Sequence, residues 1–158
     1  PTLYAEFTNK EGLFRAVLDR YISRFAAKHE AQLFCEEKTV EQALQDYFCA
    51  VATCFTSKDT PAGCFMINTS ATLAASSKEI ANTVKSRHAM QEETLSTFLA
   101  QRQQRGEIPA HCRPQELAQY LSCILQGMSI SAREGATLEK LQGITQTTLR
   151  LWPELLKL

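Results

Sequence analysis

The sequence predicts an all-α fold, and three observations carry that reading. Apolar residues recur at 3.6-residue spacing through several long segments. Gly and Pro are few, 6 and 5 residues, and several of them punctuate the ends of those segments. No run shows the period-two alternation of a half-buried strand. At 158 residues the chain suits one domain with a sizeable core.

The elements follow in order. Thr8 and Glu11 fit a Thr-x-x-Glu capping box, in which hydroxyl and carboxylate satisfy orphan amides at a helix start. Behind them Leu13, Phe14, Val17, Leu18, Tyr21, Ile22 and Phe25 mark the buried stripe of a helix over about 9–33. A second stripe, Val40, Ala43, Leu44, Tyr47, Phe48, Val51 and Phe55, predicts a helix over about 40–56. SKDTPAG is a turn by composition, and CFMINTSATLA reads as a short, largely buried helix. Ser77 can cap a long helix running to about Arg105, with Ile80, Val84, His88, Leu95 and Phe98 inward and Gly106 as its stop. Pro114 suits the first turn of the next helix. The last helix runs from about Thr137 to Leu151 and is stopped by Trp152-Pro153.

Composition excludes several classes of function. Lys plus Arg equals Asp plus Glu at 17 each, so the bulk charge makes no case for nucleic-acid binding over most of the chain. No apolar run approaches the ~20 residues of a membrane span, and no basic segment followed by an apolar h-region suggests secretion, so the expectation is a soluble, cytoplasmic chain. The sequence also lacks GxSxG, HExxH, P-loop and GxGxxG motifs. The Glu-x-x-His pattern of a helical carboxylate site is missing as well, and no catalytic residue is assigned.

One stretch says more. LYAEFTNKEGLFRAVL, beginning at Leu3, resembles the end of the helix-turn-helix domain of TetR-family transcriptional repressors, whose pattern there is Leu-Tyr-x-x-Phe, a small cap, Lys, then an acidic residue before Leu-Phe. TPAGCFMINTSATLA and ELAQYLSCILQGMSISAREGATLEKLQGI resemble later segments of a copper-linked subgroup of that family. The resemblance implies that residues 1–10 are the remnant of a DNA-binding domain and 11–158 a ligand-binding and dimerisation domain. It further implies that the helices before Pro1 are absent from this numbering. Leu3 and Phe7 then match core positions of the small domain. Tyr4 and Lys10 match residues that contact phosphate, and Thr2 is placed to reach backbone or a base edge. Glu6 and Ala5 depart from the family pattern, which leaves the full DNA contact set open.

In the family the last two helices form a four-helix bundle with the same pair of a second subunit. Small residues at Gly127, Ser129, Ser131, Ala132 and Gly135 suit close helix approach, and the expected interface is Leu121, Leu125, Met128, Ala132, Leu141, Thr145 and Leu149. Such a homodimer would present two recognition helices to a two-fold-related operator. A regulatory domain also needs an effector pocket. Candidate lining residues on the inner faces of the middle helices are Phe48, Phe55, Phe65, Met66, Asn68, His88, Phe98 and Gln126. Among these the polar Asn68, His88 and Gln126 carry the most information, because buried polar groups need partners.

Six cysteines in a helix-patterned chain of this size read as reduced thiols. Cys49, Cys54, Cys64 and Cys123 are expected to pack as small hydrophobes, and Cys112 in the PAHCRP loop to be the most exposed thiol. No CxxC pair occurs. Cys54, Cys64 and Met66 nevertheless have the soft donors that favour Cu(I), which keeps a thiol- or copper-sensing repressor as an alternative. A helical dimerisation module without DNA contact is the other.

Overall fold

The computed structural model describes residues 9–72 and 77–158, and every described element is helical. Helix α1 spans Lys10–Tyr21, a π-helical turn occupies Ile22–Ala26, and α2 spans Ala27–Leu33. Helix α3 is Val40–Phe55, α4 Phe65–Thr72, α5 Lys78–Gln104, α6 Pro114–Arg133 and α7 Leu138–Leu155.

The caps are mostly those the sequence predicts. The Ser77 hydroxyl accepts from the Ile80 amide at 3.3 Å to start α5 as expected, and Thr39 and Gln42 add a reciprocal capping box at the head of α3 that is not among the expected caps. Gly106 ends α5 with φ +77°: its own amide bonds the Gln103 carbonyl and the Glu107 amide reaches back to Arg102, a Schellman closure. The cap of α1 differs from the expectation. Asn9, one residue past Thr8, accepts the Gly12 amide at 2.8 Å, and Thr8 itself lies outside the described residues.

Two further departures concern helix winding. The sequence predicts one unbroken helix over about 9–33, whereas a π-turn interrupts it at Ile22–Ala26. One wider turn adds a single residue to the winding, a change that an apolar stripe does not report. At the other end α7 continues through Pro153 to Leu155 instead of stopping at Leu151. Proline in a last turn forfeits one i→i−4 bond, and the fully buried Trp152 beside it holds that turn against the core.

The core is built around α3. It packs on α2, α6 and α7, while α5 lies along α6 in the most extensive helix pairing among the described residues. Val40, Ala43, Leu44, Tyr47, Phe48, Val51, Ala52 and Phe55 of α3 are all buried, so the predicted stripe faces inward as a unit. Leu95, Phe98 and Leu99 of α5 close one side, and Leu121, Leu125, Met128 and Leu141 the other.

Where α5 ends, Arg102 is 4% exposed and serves as a lock. Its guanidinium donates to the carbonyls of Cys35 and Lys38 at 2.8 and 2.9 Å, pairs with Glu107 at 2.9 Å, and lies 5.3 Å from the Phe98 ring centroid. It therefore ties the α2–α3 connection to the end of α5. Arg102→Ala is expected to lower stability by roughly 3 kcal/mol, because the two carbonyls lose a charged donor they cannot replace. Urea unfolding should show a lower midpoint at unchanged slope; an unshifted midpoint would show that the lock contributes nothing.

Candidate functional site

A cavity of about 120 Å³ lies between α1, α2, α3, α5 and the segment entering α4. Helical periodicity explains which side chains reach it. Tyr47, Val51, Cys54 and Phe55 stand at i, i+4, i+7 and i+8 on α3, and Arg87, Met90, Gln91 and Thr94 at i, i+3, i+4 and i+7 on α5. Tyr21 and Ile22 enter where α1 passes into the π-turn, His29 and Glu30 from α2, and Cys64 and Met66 from the start of α4.

A close backbone approach fixes that last wall. Gly63 has φ +85°, and a Cβ there would sit 2.7 Å from the Ser129 carbonyl oxygen. Its amide donates to the Phe55 carbonyl at 2.8 Å, and the next amide, that of Cys64, donates to the buried Ser129 hydroxyl at 2.6 Å. Cys64 is thereby held against α6 with its sulfur toward α1, where the Tyr21 hydroxyl donates to Sγ at 3.6 Å.

The polar groups of the cavity differ in how they are satisfied. Gln91 donates to the Tyr47 hydroxyl at 3.2 Å. Arg87 is held by Asp19 at 3.4 Å and by the Met90 thioether at 3.5 Å. Burial pushes Tyr47 up to about 12, and pushes Tyr21 up as well, with the neighbouring Cys64 adding to it, so both phenols stay protonated. Burial raises Cys54, with Cys64 a further cause; it lowers His29, with Lys28 assisting; and it raises Glu30. Glu30 has no ion-pair partner among the described residues.

Of the eight pocket residues expected from sequence, Phe55 and Met66 line this cavity. Phe48 and Phe98 are core instead, the first edge-on to Tyr47 and the second to Phe34. Phe65 packs its ring between Phe14 and Tyr21. Asn68 donates to the Ala62 carbonyl at 2.8 Å and so secures the turn before α4. Gln126 reaches Ser122 on its own helix at 3.4 Å, and the half-buried His88 stands outside the lining with no partner for Nε2 among the described residues. The residues missed, Tyr21, Glu30, Tyr47, Arg87 and Gln91 above all, sit on predicted helices. Only the packing of five segments reveals that they converge.

Cys54, Cys64 and Met66, the soft donors named from sequence, do share the cavity, and Met90 joins them. Among the described residues no three His, Cys, Asp or Glu side chains cluster closely enough to hold a metal. Two cysteines exchange roles. Cys112 is buried and donates to the Leu156 carbonyl at 3.2 Å, while Cys123 is exposed on α6.

The expected dimer residues also need correction. Leu121, Leu125, Met128, Ala132, Leu141 and Thr145 are buried within this chain alone, and Leu149 is half-buried against the same core. The six buried ones form the inner face of α6 and α7 and offer no surface to a partner, while Leu149 keeps part of its side chain exposed. The outward stripe carries Cys123, Gly127 and Ile130 on α6 and Gly143, Thr147 and Leu151 on α7. Helical periodicity identifies both stripes but not which one faces the chain's own core. Of the expected DNA contacts, Thr2 and Tyr4 lie outside the described residues, as does the side chain of Lys10 at the head of α1.

Comparison with known proteins agrees with this architecture. The family model for the tetracyclin repressor-like C-terminal domain matches residues 40–147. The HTH-type transcriptional repressor ComR of Escherichia coli strain K12 is 77% identical over 157 residues, covering 99% of this chain and 75% of ComR. The HTH-type transcriptional repressor BdcR of the same strain is 28% identical over 141 residues, 89% of this chain and 66% of BdcR. Among solved structures, a cysteine mutant of the TetR-family regulator CifR, complexed with 26bp double-strand operator DNA, superposes with a TM-score of 0.89 at 24% identity, covering 96% of this chain and 78% of that one. The chain belongs to the TetR family of transcriptional repressors.

Proposed function

We propose that this chain is the effector-binding and dimerising part of a repressor that holds a two-fold-related operator as a homodimer and releases it when the cavity is filled. The observation that carries this reading is the make-up of the cavity wall. Tyr21 and Ile22 of the linking helix face the same space as α3 and α5, so an occupant contacts both the regulatory bundle and the helix leading to the DNA-binding end. A ligand shifts an equilibrium only by binding one arrangement more tightly than the other, and a wall shared in this way gives it the means. The π-turn at Ile22–Ala26 begins at the cavity, and such turns absorb changes of helix direction.

Two further parts complete the device. Tyr4 and Lys10, with Thr2, supply contacts to operator DNA, where a lysine beside a helix N-terminus favours a phosphate. The partner subunit docks on the outward stripe of α6 and α7. A Cβ added at Gly127 or Gly143 would meet nothing within 4 Å, so this chain's own packing does not call for glycine at either position. Close approach of a second helix does. Ile130 and Leu151, 40% and 46% exposed, add apolar surface beside them.

A second reading concerns the occupant. Cys54 and Cys64 line one cavity with the thioethers of Met66 and Met90, and Cys64 contributes to raising the Cys54 thiol, so the sulfurs are neighbours. That donor set suits a soft monovalent ion such as Cu(I).

In the full-length protein, Tyr4→Phe and Lys10→Ala should each weaken operator binding and flatten its salt dependence in a gel-shift titration; unchanged binding by both removes the phosphate assignment. Ile130→Glu combined with Leu151→Glu should turn a dimer into a folded monomer by light scattering. A wild-type monomer at micromolar concentration, or a dimeric double variant, would sink the docking face. Cu(I) should release the operator from wild type and not from a Cys54→Ser, Cys64→Ser variant, and release from both would rule the sulfur pair out as its site.

A further inference from the structure

The sulfur pair is one part of the cavity. The part around Glu30, Tyr47 and Gln91 has a different chemistry that the repressor reading does not use. Glu30 is half-buried, lines the cavity and meets no lysine or arginine at ion-pair distance among the described residues. Among the described residues Arg87 is the one lysine or arginine in the lining, and it is already engaged by Asp19 at 3.4 Å and Met90 at 3.5 Å. Burial holds His29 toward its neutral form. Three aromatic side chains, Tyr21, Tyr47 and Phe55, share the space with Glu30.

We infer that the cavity takes a small organic cation, an alkylammonium ion, with Glu30 as its counter-ion and the aromatic side chains of Tyr21, Tyr47 and Phe55 around its alkyl groups. This rests on the reading of the cavity as the effector site and names the class of effector.

Three physical points support the class. An aromatic cluster with one carboxylate attracts a weakly hydrated cation through ring quadrupoles and charge, and methylated ammonium groups are the recurrent guest of such cages. A neutral guest would leave the Glu30 carboxylate desolvated without compensation, whereas a cation offsets that cost. Size sets the third limit. At about 120 Å³ the cavity is slightly smaller than one that holds benzene, so a tetramethylated nitrogen, itself about the bulk of benzene, sits at its upper limit and a fused-ring cation is too large.

The test uses the full-length protein and two probes of nearly the same shape, tetramethylammonium and the neutral tert-butanol, each followed by calorimetry and by release of operator DNA. Tetramethylammonium should bind and release the operator. Its affinity should fall roughly tenfold or more in Glu30→Gln, as expected when one charge of a partly buried pair is removed, and should be lost in Thr94→Phe, which fills the cavity. Because Glu30→Gln keeps the shape of the side chain, a wild-type circular dichroism spectrum and cooperative thermal unfolding should show that the variant is folded. Equal binding of ammonium by wild type and Glu30→Gln, or no ammonium binding at all, overturns the inference. If tert-butanol binds in its place and Thr94→Phe blocks it, the class is wrong while the effector site stands. Ammonium binding that Thr94→Phe leaves intact places the ion outside the cavity and overturns the inference too.

Discussion

The contact on which the functional part of this molecule depends is the approach of Gly63 and Cys64 to Ser129. One hydroxyl on α6 accepts the Cys64 amide at 2.6 Å while Gly63 comes too close to the Ser129 carbonyl to carry a side chain. The Gly63 amide meanwhile completes the end of α3 through the Phe55 carbonyl. Three elements are therefore registered within two residues, and the start of α4 can occupy only one place. The cavity follows from that placement, since Cys64 and Met66 form one of its walls and Phe55 another.

The same registration joins the cavity to the helix that, in the proposed function, leads to the DNA-binding end. Cys64, anchored to α6, receives the Tyr21 hydroxyl from the end of α1. The linking helix is therefore tied to the bundle at its last α-helical residue, immediately before the π-turn. Whatever enters the cavity has to coexist with that tie or replace it. Arg102 does comparable work at the opposite end of α5, where it binds the α2–α3 connection, so α2 is held at its far end and α1 near its junction with the π-turn.

Much of the fold was legible because helices advertise themselves twice, by the period of their buried stripe and by their caps. The inward set of α3 matched the 3.6-residue pattern, and Ser77, Gly106 and Pro114 marked their helix ends as read. The failures share one cause. A stripe tells which residues are on one face, not what covers that face. Leu121, Leu125 and Met128 looked like an interface because they were apolar beside small residues, yet this chain covers them itself and leaves Gly127 and Gly143 outward. The site was less legible still. Phe48 and Phe98 had the pattern of lining residues and proved to be core, whereas Glu30 and Arg87 had no pattern and line the cavity.

By itself the sequence determined the helical class, the succession of elements and the family, because these depend on local periodicity, capping chemistry and a short motif with fixed spacing. Only the tertiary structure decided where the π-turn falls, which stripe of α6 and α7 faces outward, and which side chains surround a common space. Those are properties of how several helices pack against one another, and packing depends on the shapes of residues distant in the chain.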